Sequence, residues 1–372
     1  MDFSLFYFAD NSAGTAAGDP RGRYDLLLEG ARFADRNAFT AVWTPERHFH
    51  PFGGLYPNPA VTGAALATAT HHVAIRAGSV VAPLHHPARI AEEWSVVDNL
   101  SGGRVGVSFA SGWHPSDFAL GHTAYADRKT VLMQRLDDVR RLWRGEPLEV
   151  TDGNGVPTTV RVFPPPVQPE LPVWVTSAGE VDTFRAAARA RAGVLTHLLH
   201  QDLDELAEKI TEYRSTARRT HDGWDGHVAL MLHTYLAETR AASRDTVREP
   251  LRDYLRSSIH LVTRSFTEAD PDFDLDSLDE EDIDFLLTRS FETYFDQRGL
   301  FGTVDDARRT VDAVRAAGVD EIACLIDFGV DTKAVLAGLP RIAELRAPSA
   351  AAAADRPGAG PATHRARRSS SA

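Results

Sequence analysis

Residues 73–118 place two strands of the buried type on either side of a helix, and this arrangement constrains the fold more than any other part of the chain. Val73–Ala82 is dominated by β-branched and small residues and carries almost no charge, as expected for a strand covered on both faces. Pro87 then begins a helix, and Ser101-Gly102-Gly103 ends it. The predicted inward stripe of this helix consists of Ile90, Trp94, Val97 and Leu100.

A second strand of the buried type, Val105–Phe109, follows this helix after a short connection. Two parallel strands joined through a helix form a right-handed βαβ unit. The unit predicts that two loops, residues 83–86 and 110–117, emerge on the same side of a parallel sheet. Ligands bind at the carboxyl ends of strands in such sheets, so both loops are candidates for an active site.

The alternation of strand and helix recurs along the chain and predicts a (β/α)₈ TIM barrel in the α/β class. Eight such alternations close a barrel better than an open sheet. We expect one barrel domain over residues 1–346, with a hairpin inserted at 147–163, an acidic helical insertion at 261–300 and a disordered tail at 347–372. The predicted strands are 3–8, 41–43, 73–82, 105–109, 172–175, 193–197, 227–236 and 321–326.

The acidic insertion allows two interpretations. Five of its acids stand at the ligand positions one, three, five, seven and twelve of a calcium-binding EF-hand loop: Asp270, Asp272, Asp274, Asp276 and Glu281. Leu275 occupies the sixth position, where that loop needs glycine for its sharp turn. Ser277 and Glu280 also have the spacing of a capping box, which is typical of a helix start. A solvated acidic approach to a lid helix is therefore favoured over a calcium site.

Composition excludes several classes of protein. The net charge is −12 and no stripe of basic residues is present, so we expect no nucleic-acid partner. Cys324 is the only cysteine, which rules out an internal disulfide and, in an apolar run, favours a buried residue over a nucleophile. Without a long apolar span or a leader sequence, a cytoplasmic protein that is not attached to a membrane is expected.

The loop TPERHFHPFGGLYPNP after the second strand has no explanation in packing. It is rich in proline and glycine, and polar and aromatic loops that follow barrel strands are where catalytic groups usually lie. The loop is therefore predicted to belong to the active site. Its polar and aromatic side chains are Glu46, Arg47, His48, Phe49, His50 and Phe52.

Several segments resemble the bacterial luciferase-like flavin monooxygenases, in particular those of natural-product biosynthesis. They are ERHFHPFGGLYPNP, SVVAPLHHPARIAEEWSVVDNLSGGRV, SFASGWHPSDF, LPVWVTSAG, VLTHLLHQ and GLFGTVDDAR, and the similarity extends to about residue 345. The resemblance implies a two-component monooxygenase that takes FMNH₂ from a separate reductase and reacts it with O₂. A flavin hydroperoxide then inserts one oxygen atom into a secondary-metabolite intermediate, by hydroxylation or by Baeyer-Villiger insertion.

The resemblance also assigns the flavin site. It places the flavin phosphate on the loop after the fifth barrel strand, whose backbone N–H groups at a helix start suit an anion; an ordinary helix cap is the alternative. Glu180 departs from the family pattern, since a carboxylate repels a phosphate unless it points away. The isoalloxazine ring is expected against a non-proline cis peptide at Gly78-Ser79. The full set of expected cofactor-binding residues is Gly78, Ser79, Ser111, Asp117, Thr176, Ser177, Ala178 and Gly179.

Two residues of the second loop are the catalytic candidates. His48 is the acid-base candidate, because a neutral imidazole can shuttle a proton near neutral pH. Arg47 matches the catalytic base of the luciferase α chain but cannot accept a proton. A dry, aromatic substrate site is expected, although aromatic residues in a barrel also build its core. The expected substrate-contacting residues are Phe6, Phe8, Trp43, Trp113 and His114.

Other functions remain as alternatives. The pairs His71-His72 and His85-His86 lack the spacing of a metal site, so no metal is expected. The absence of GxGxxG after a strand argues against a nicotinamide site. A deazaflavin-dependent oxidoreductase and a non-catalytic flavin-binding or scaffold protein stay open. The expected partners are a transient flavin reductase, a second copy of the chain, and a substrate that is either a small molecule or bound to a carrier protein, the negative charge favouring the free molecule.

Overall fold

The structure is a computed structural model that describes residues 1–8, 22–50, 53–199, 201–257 and 279–346. Three features predicted from the sequence lie outside these residues. They are most of the loop after the first strand, the calcium-like acids from Asp270 to Asp276, and the tail from residue 347.

A closed barrel of eight parallel strands forms the centre of the molecule. In barrel order the strands are β1, β2, β3, β4, β7, β8, β9 and β11, and β11 pairs with β1 to close the ring. The predicted (β/α)₈ fold is therefore confirmed. The strands are β1 Asp2–Phe6, β2 Ala41–Thr44, β3 Ala74–Val81, β4 Val105–Ala110, β5 Leu148–Thr151, β6 Pro157–Val160, β7 Val173–Ser177, β8 Gly193–His197, β9 Val228–Leu236, β10 Leu300–Gly302 and β11 Glu321–Leu325.

Helices surround the barrel and connect its eight strands so that all eight run in the same direction. Pro87 stands at the first position of α3, and Gly102 ends that helix in the left-handed region at φ 70°, as the sequence predicts. The helices are α1 Asp25–Arg36, α2 Pro59–Ala69, α3 Pro87–Ser101, α4 Arg128–Trp143, α5 Val181–Arg189, α6 Leu203–Thr220, α7 Arg240–Ser257, α8 Glu280–Thr293, α9 Val304–Ala316 and α10 Thr332–Glu344.

One residue of the predicted inward stripe of α3 points outward. Ile90, Trp94 and Val97 are buried, whereas Leu100 is 52% exposed. At 100° per residue, Leu100 lies about 80° away from Ile90 around the helix, and Ser101 lies only about 20° away. Ser101 is accordingly buried, so the helix ends with a serine rather than a leucine against the barrel.

The β5–β6 hairpin and helix α8 are additions to the barrel repeat. Strands β5 and β6 form an antiparallel hairpin within residues 147–163, and the Asp152 carboxylate accepts N–H groups of its turn. The residue predicted to begin α8 through a capping box, Ser277, lies outside the described residues. The N-cap of α8 is Asp279, whose carboxylate accepts from the N–H groups of Glu281 and Asp282, a usual role of aspartate at a helix start.

A buried polar network occupies the barrel interior below the mouth. The Glu321 carboxylate accepts hydrogen bonds from Ser4 Oγ at 2.6 Å, Trp43 Nε1 at 3.0 Å and Arg76 at 2.7 Å. Although burial raises the pKa of Glu321, the charges of Arg76 and His227 and the hydrogen bonds bring it below its ordinary value. Trp43 was expected to contact substrate. The structure corrects this, since Trp43 is fully buried with its indole N–H on Glu321.

Candidate active site

A cavity of about 240 Å³ lies at the carboxyl ends of the barrel strands, where TIM barrels place their active sites. Its walls come from β1, β2, β3, β4, β7, β8 and β9 or the loops that follow them, and from Tyr254 of α7. The sequence-predicted site residues that line it are Phe6, Phe8, Arg47, Gly78, Ser79, Ser111, Trp113, Thr176 and Ala178.

A buried carboxylate, Glu46, organises the loop after β2. One of its oxygens lies 2.9 Å from His48 Nε2 and 2.5 Å from His85 Nε2. The other accepts the Val81 backbone N–H at 2.7 Å. These contacts join the ends of the second and third strands, and they pair both oxygens of Glu46, which also lines the cavity.

Glu46 and His85 shift each other's pKa in opposite directions. Burial alone would raise the pKa of Glu46, but the hydrogen bonds from His48 and His85 hold it below its ordinary value. Burial lowers the pKa of His85, yet the hydrogen bond and charge of Glu46 outweigh it and leave that pKa raised. When the Nε2 atom of a neutral imidazole donates to a carboxylate, its Nδ1 atom is a proton acceptor. A neutral His48 that donates from Nε2 to Glu46 therefore presents Nδ1 as a proton acceptor, and His48 stands next to the cavity residues Glu46 and Arg47 without lining the cavity itself.

The guanidinium of Arg47 lies near two aromatic rings. Its Cζ atom is 5.1 Å from the centre of the Phe8 ring and 4.6 Å from the centre of a Trp113 ring. Burial lowers the pKa of Arg47 to about 10, while Tyr254 and Asp117 favour the charged form. Arg47 is therefore still a cation at neutral pH and cannot act as a base.

The end of β3 contains a cis peptide between Gly78 and Ser79, as the resemblance implies. A Cβ atom on Gly78 would come within 2.6 Å of the Phe6 ring, so this position requires glycine. Ser79 is hydrogen-bonded to the hydroxyl of Thr176, and Ser108 contacts the same hydroxyl at 2.7 Å. A row of hydroxyl groups thus connects β3, β4 and β7 beneath the cavity.

The loop after β7 provides a polar end to the cavity. Its Gly179 has φ 120°, a conformation suited to glycine, and its N–H donates to Ser177 Oγ at 3.3 Å. Ser177 itself is buried, while Thr176 and Ala178 line the cavity. Glu180 caps α5 by position, and its carboxylate lies 2.6 Å from Lys129 Nζ. The unusual Glu180 is therefore paired with a cation instead of standing alone beside the loop.

Two predicted residues of the fourth loop have different surroundings. Asp117 is buried, and burial raises the pKa of its carboxyl against the opposing effect of His114, His48 and Arg47. His114 is exposed, and its Nδ1 atom lies 2.6 Å from Ser116 Oγ. Asp117 thus belongs to the electrostatic environment of the site, while His114 has a local partner at the surface.

Sequence reasoning missed three residues of the site. Glu46 was noticed in the polar loop but was given no role, and the adjacent histidine in Glu-Arg-His was its only local signal. His85 was considered only as a metal ligand. Tyr254, in the last turn of α7, carries no sequence signal, and it reaches the cavity through the packing of that helix.

Within the ranges that the structure describes, no group of three or more histidine, cysteine, aspartate or glutamate residues is arranged to hold a metal ion. The Asp35 carboxylate accepts the backbone N–H groups of both His71 and His72, and His86 caps α3 with its Nδ1 atom. Among the helices of the described segments, none has the length and apolar character of a bilayer-spanning helix.

Comparison with known proteins identifies the family. The sequence profile of the luciferase-like monooxygenases matches residues 1–321, so the chain belongs to this family. The resemblance inferred from the sequence motifs and the class of enzyme, a monooxygenase, are thereby confirmed.

Individual relatives agree with this assignment. The chain is 27% identical over 252 residues to the flavin-dependent trigonelline monooxygenase, oxygenase component, of Acinetobacter baylyi, covering 67% of this chain and 69% of that protein. The monooxygenase RslO1 from Streptomyces bottropensis has the same fold, with a TM-score of 0.74, 23% identity and coverage of 93% and 98%. The oxygenating constituent of 3,6-diketocamphane monooxygenase from Pseudomonas putida, a type II Baeyer-Villiger monooxygenase in complex with FMN, gives a TM-score of 0.71, 18% identity and coverage of 92% and 97%.

Proposed function

We propose that this protein is the oxygenase of a cytoplasmic two-component system, which receives FMNH₂ from a separate reductase and inserts one oxygen atom from O₂ into a secondary-metabolite intermediate. The observation that carries the proposal is the barrel-mouth cavity, whose lining combines apolar side chains, the hydroxyl groups of Ser79, Ser111 and Thr176, and the carboxylate of Glu46 that pairs with His48 behind it. The relative named as an oxygenase component supports the division of labour with a reductase.

The residues present fit a bound flavin. A ring system needs flat, apolar surroundings with a few polar groups, and Phe6, Val81 and Met231 line the cavity together with Ser79 and Thr176. The glycine at position 78 lets the chain pack closely against Phe6. Residues 176–179 would hold the phosphate, since the N–H groups at the start of α5 and the positive end of its dipole favour an anion.

Reduced FMN, when bound, supplies the electrons that activate O₂ for transfer of one oxygen atom. The protein's part is to exclude water and to manage a proton. Phe6, Phe8 and Trp113 shield the cavity. His48 holds its proton at Nε2 against Glu46 and accepts one at Nδ1, so it serves as the general base, and Arg47 supplies fixed positive charge.

Oxygen uptake with photoreduced FMN tests this function. The protein should bind FMNH₂ and change the course of its oxidation, and with a set of candidate pathway intermediates it should produce a compound that carries one ¹⁸O atom from ¹⁸O₂. Binding of the deazaflavin without oxygen consumption would identify a hydride-transfer enzyme instead. FMNH₂ binding without product from any intermediate would support a non-catalytic flavin-binding protein.

The form of the substrate is a separate part of the proposal. A carrier protein is usually acidic, and the net charge of −12 would repel it, so we favour a free small molecule. Offering one intermediate both free and carrier-bound, and measuring the rate of ¹⁸O incorporation, decides between the two. Faster oxidation of the carrier-bound form, weakening as salt rises, would contradict the free substrate.

A homodimer is proposed from the outer face of α2 and α3. Val61, Val96 and Leu100 on these neighbouring helices are 67%, 43% and 52% exposed, and α2 contains no charged residue. Exposed apolar groups on neighbouring helices are typical of contact surfaces. Light scattering should give a dimer that Leu100→Arg converts to monomer, and a wild-type monomer at micromolar concentration would refute the proposal.

A further inference from the structure

Three hydroxyl groups beneath the cavity form a row whose hydrogens the proposed function does not assign. Thr176 lies at the centre of this hydroxyl row, hydrogen-bonded to Ser79 of β3 and 2.7 Å from the hydroxyl of Ser108 of β4. We propose that the hydroxyl row presents one O–H donor to the cavity, and that this donor binds a carbonyl oxygen of the flavin ring. The inference rests on the proposed function, because it names a polar contact to the same cofactor.

The three residues of the row differ in their access to the cavity. Ser79 and Thr176 line the cavity, whereas Ser108 does not. Ser108 is 0% exposed, and its hydroxyl contacts the row only through Thr176. The row therefore begins at a fully buried hydroxyl group and ends at the cavity wall.

The row contains one more donor than its own contacts use. Each hydroxyl group carries one hydrogen, so three hydrogens are available for two oxygen-to-oxygen contacts. Within the part of the chain that the structure describes, these three side chains have no hydrogen-bond partner outside the row. One hydrogen is therefore left for a group that does not belong to the row.

Burial decides which residue holds the remaining hydrogen. A buried donor without an acceptor is costly, so Ser108 donates its hydrogen to Thr176, its only partner in the described structure. The remaining hydrogen then belongs to Thr176 or to Ser79, and both of these residues line the cavity. The surplus donor is therefore available to the molecule that occupies the cavity.

A ring carbonyl of the flavin is an acceptor that suits this donor. Phe6 lies close to Gly78, the residue before Ser79, and Phe6 and Val81 line the cavity with the two hydroxyl groups. Apolar surroundings accommodate the body of a ring system, and a single polar group among them fixes its orientation. A hydrogen bond to the ring also tunes the electronic properties of the cofactor.

Ser108 acts in this arrangement as a positioning residue. By donating to Thr176, it leaves the Thr176 hydrogen to point toward Ser79 or toward the cavity rather than into the protein. Hydrogen bonds in series polarise one another, so the buried hydroxyl group strengthens a donor that it does not touch.

Infrared difference spectra of protein loaded with oxidised FMN test the inference. A hydrogen bond to a carbonyl group lowers its stretching frequency, and ¹³C labels at C2 or C4 of the ring identify the carbonyl that is bound. The triple variant Ser79→Ala/Ser108→Ala/Thr176→Val removes the whole row. It should raise that frequency and weaken FMN binding about 2- to 10-fold, the contribution of one hydrogen bond between neutral groups.

Three further variants make the test specific. Ser79→Ala/Thr176→Val removes both hydroxyl groups at the cavity but keeps Ser108, so it should reproduce the high frequency of the triple variant. Ser108→Ala leaves two hydroxyl groups and one contact, so one hydrogen still faces the cavity and the low frequency should remain. Ser95→Ala is the matched control, because Ser95 is equally buried but donates to the Pro164 carbonyl outside the row; it should change neither the frequency nor the affinity.

The possible results separate this inference from the proposed function. Binding of FMN with the same carbonyl frequencies in the wild type and in the triple variant would overturn the inference while leaving oxygen transfer intact. Loss of the low frequency in Ser108→Ala alone would refute the count of hydrogens. A wild-type protein that binds no FMN would overturn the inference and the flavin function together.

Discussion

Replacement of Glu46 by glutamine is the sharpest test of how the site is held together. The side chain is only 2% exposed and its carboxylate accepts three hydrogen bonds, from His48 Nε2, His85 Nε2 and the Val81 N–H. A hydrogen bond to a charged group contributes roughly 1.5–3 kcal/mol and one between neutral groups roughly 0.5–1.5 kcal/mol. Glutamine keeps the size of the side chain but removes the charge and replaces one acceptor oxygen with an N–H₂ donor. One contact is therefore lost outright and the others lose about 1 kcal/mol each, so we expect the folded state to lose about 3–5 kcal/mol in total.

Urea unfolding at pH 7, followed by tryptophan fluorescence and circular dichroism, measures this loss directly. Glu29→Gln is the control, because Glu29 forms a half-exposed pair with Arg32 and its removal should change the free energy of unfolding by no more than about 0.5 kcal/mol. Glu46→Gln should also release more H₂O₂ per FMNH₂ oxidised, since His48 loses the group that fixes its tautomer. An unfolding free energy within about 0.5 kcal/mol of wild type would refute the reasoning.

Three further changes test other parts of the site. Ser177→Asp places a negative charge in the proposed phosphate loop and should weaken FMNH₂ binding by about 1–3 kcal/mol in a fluorescence titration, with Ser177→Ala as control; unchanged affinity would move the phosphate elsewhere. Gly78→Ala brings a Cβ atom within 2.6 Å of Phe6 and should lower the free energy of unfolding by about 1–3 kcal/mol; an unchanged melting temperature would contradict the close packing. His85 has a raised pKa, so its contribution to stability is complete below the ordinary value of 6.5 and disappears as pH rises through the raised value. Denaturation curves between pH 6 and 9 should show this decline in wild type but not in His85→Asn, and parallel curves would exclude the pair.

The barrel was predictable because its signals are local. Buried parallel strands are apolar runs, helix ends carry proline and glycine, and the repeat of these signals gives the number of strands. The same local character located the loops after β2, β4 and β7, since polar groups placed among proline and glycine have no role in packing. Asp279 was not predicted to cap α8 because it is one of four consecutive acids, and only the structure shows that its carboxylate makes the capping hydrogen bonds.

The contacts that give the site its chemistry were not predictable, because they join residues distant in the sequence. Glu46 and His85 are 39 residues apart, and nothing in the sequence around either residue indicates that the other is its hydrogen-bond partner. In the sequence, Trp43 is one more aromatic residue at a strand end. Its buried indole N–H donates to Glu321, a residue of the last barrel strand that comes close to Trp43 only when the barrel closes. Residue type therefore located the loops, while pairing across the barrel determined what each side chain does.

The assignment of a base illustrates this dependence. At position 47 the chain has an arginine, which cannot accept a proton, so the base must come from a neighbour. His48 lies beside it, but an isolated histidine can carry its proton on either nitrogen. Glu46 removes that ambiguity by accepting from Nε2, which leaves Nδ1 as the acceptor. The general base that we propose is thus a property of the Glu46 and His48 pair rather than of either residue alone.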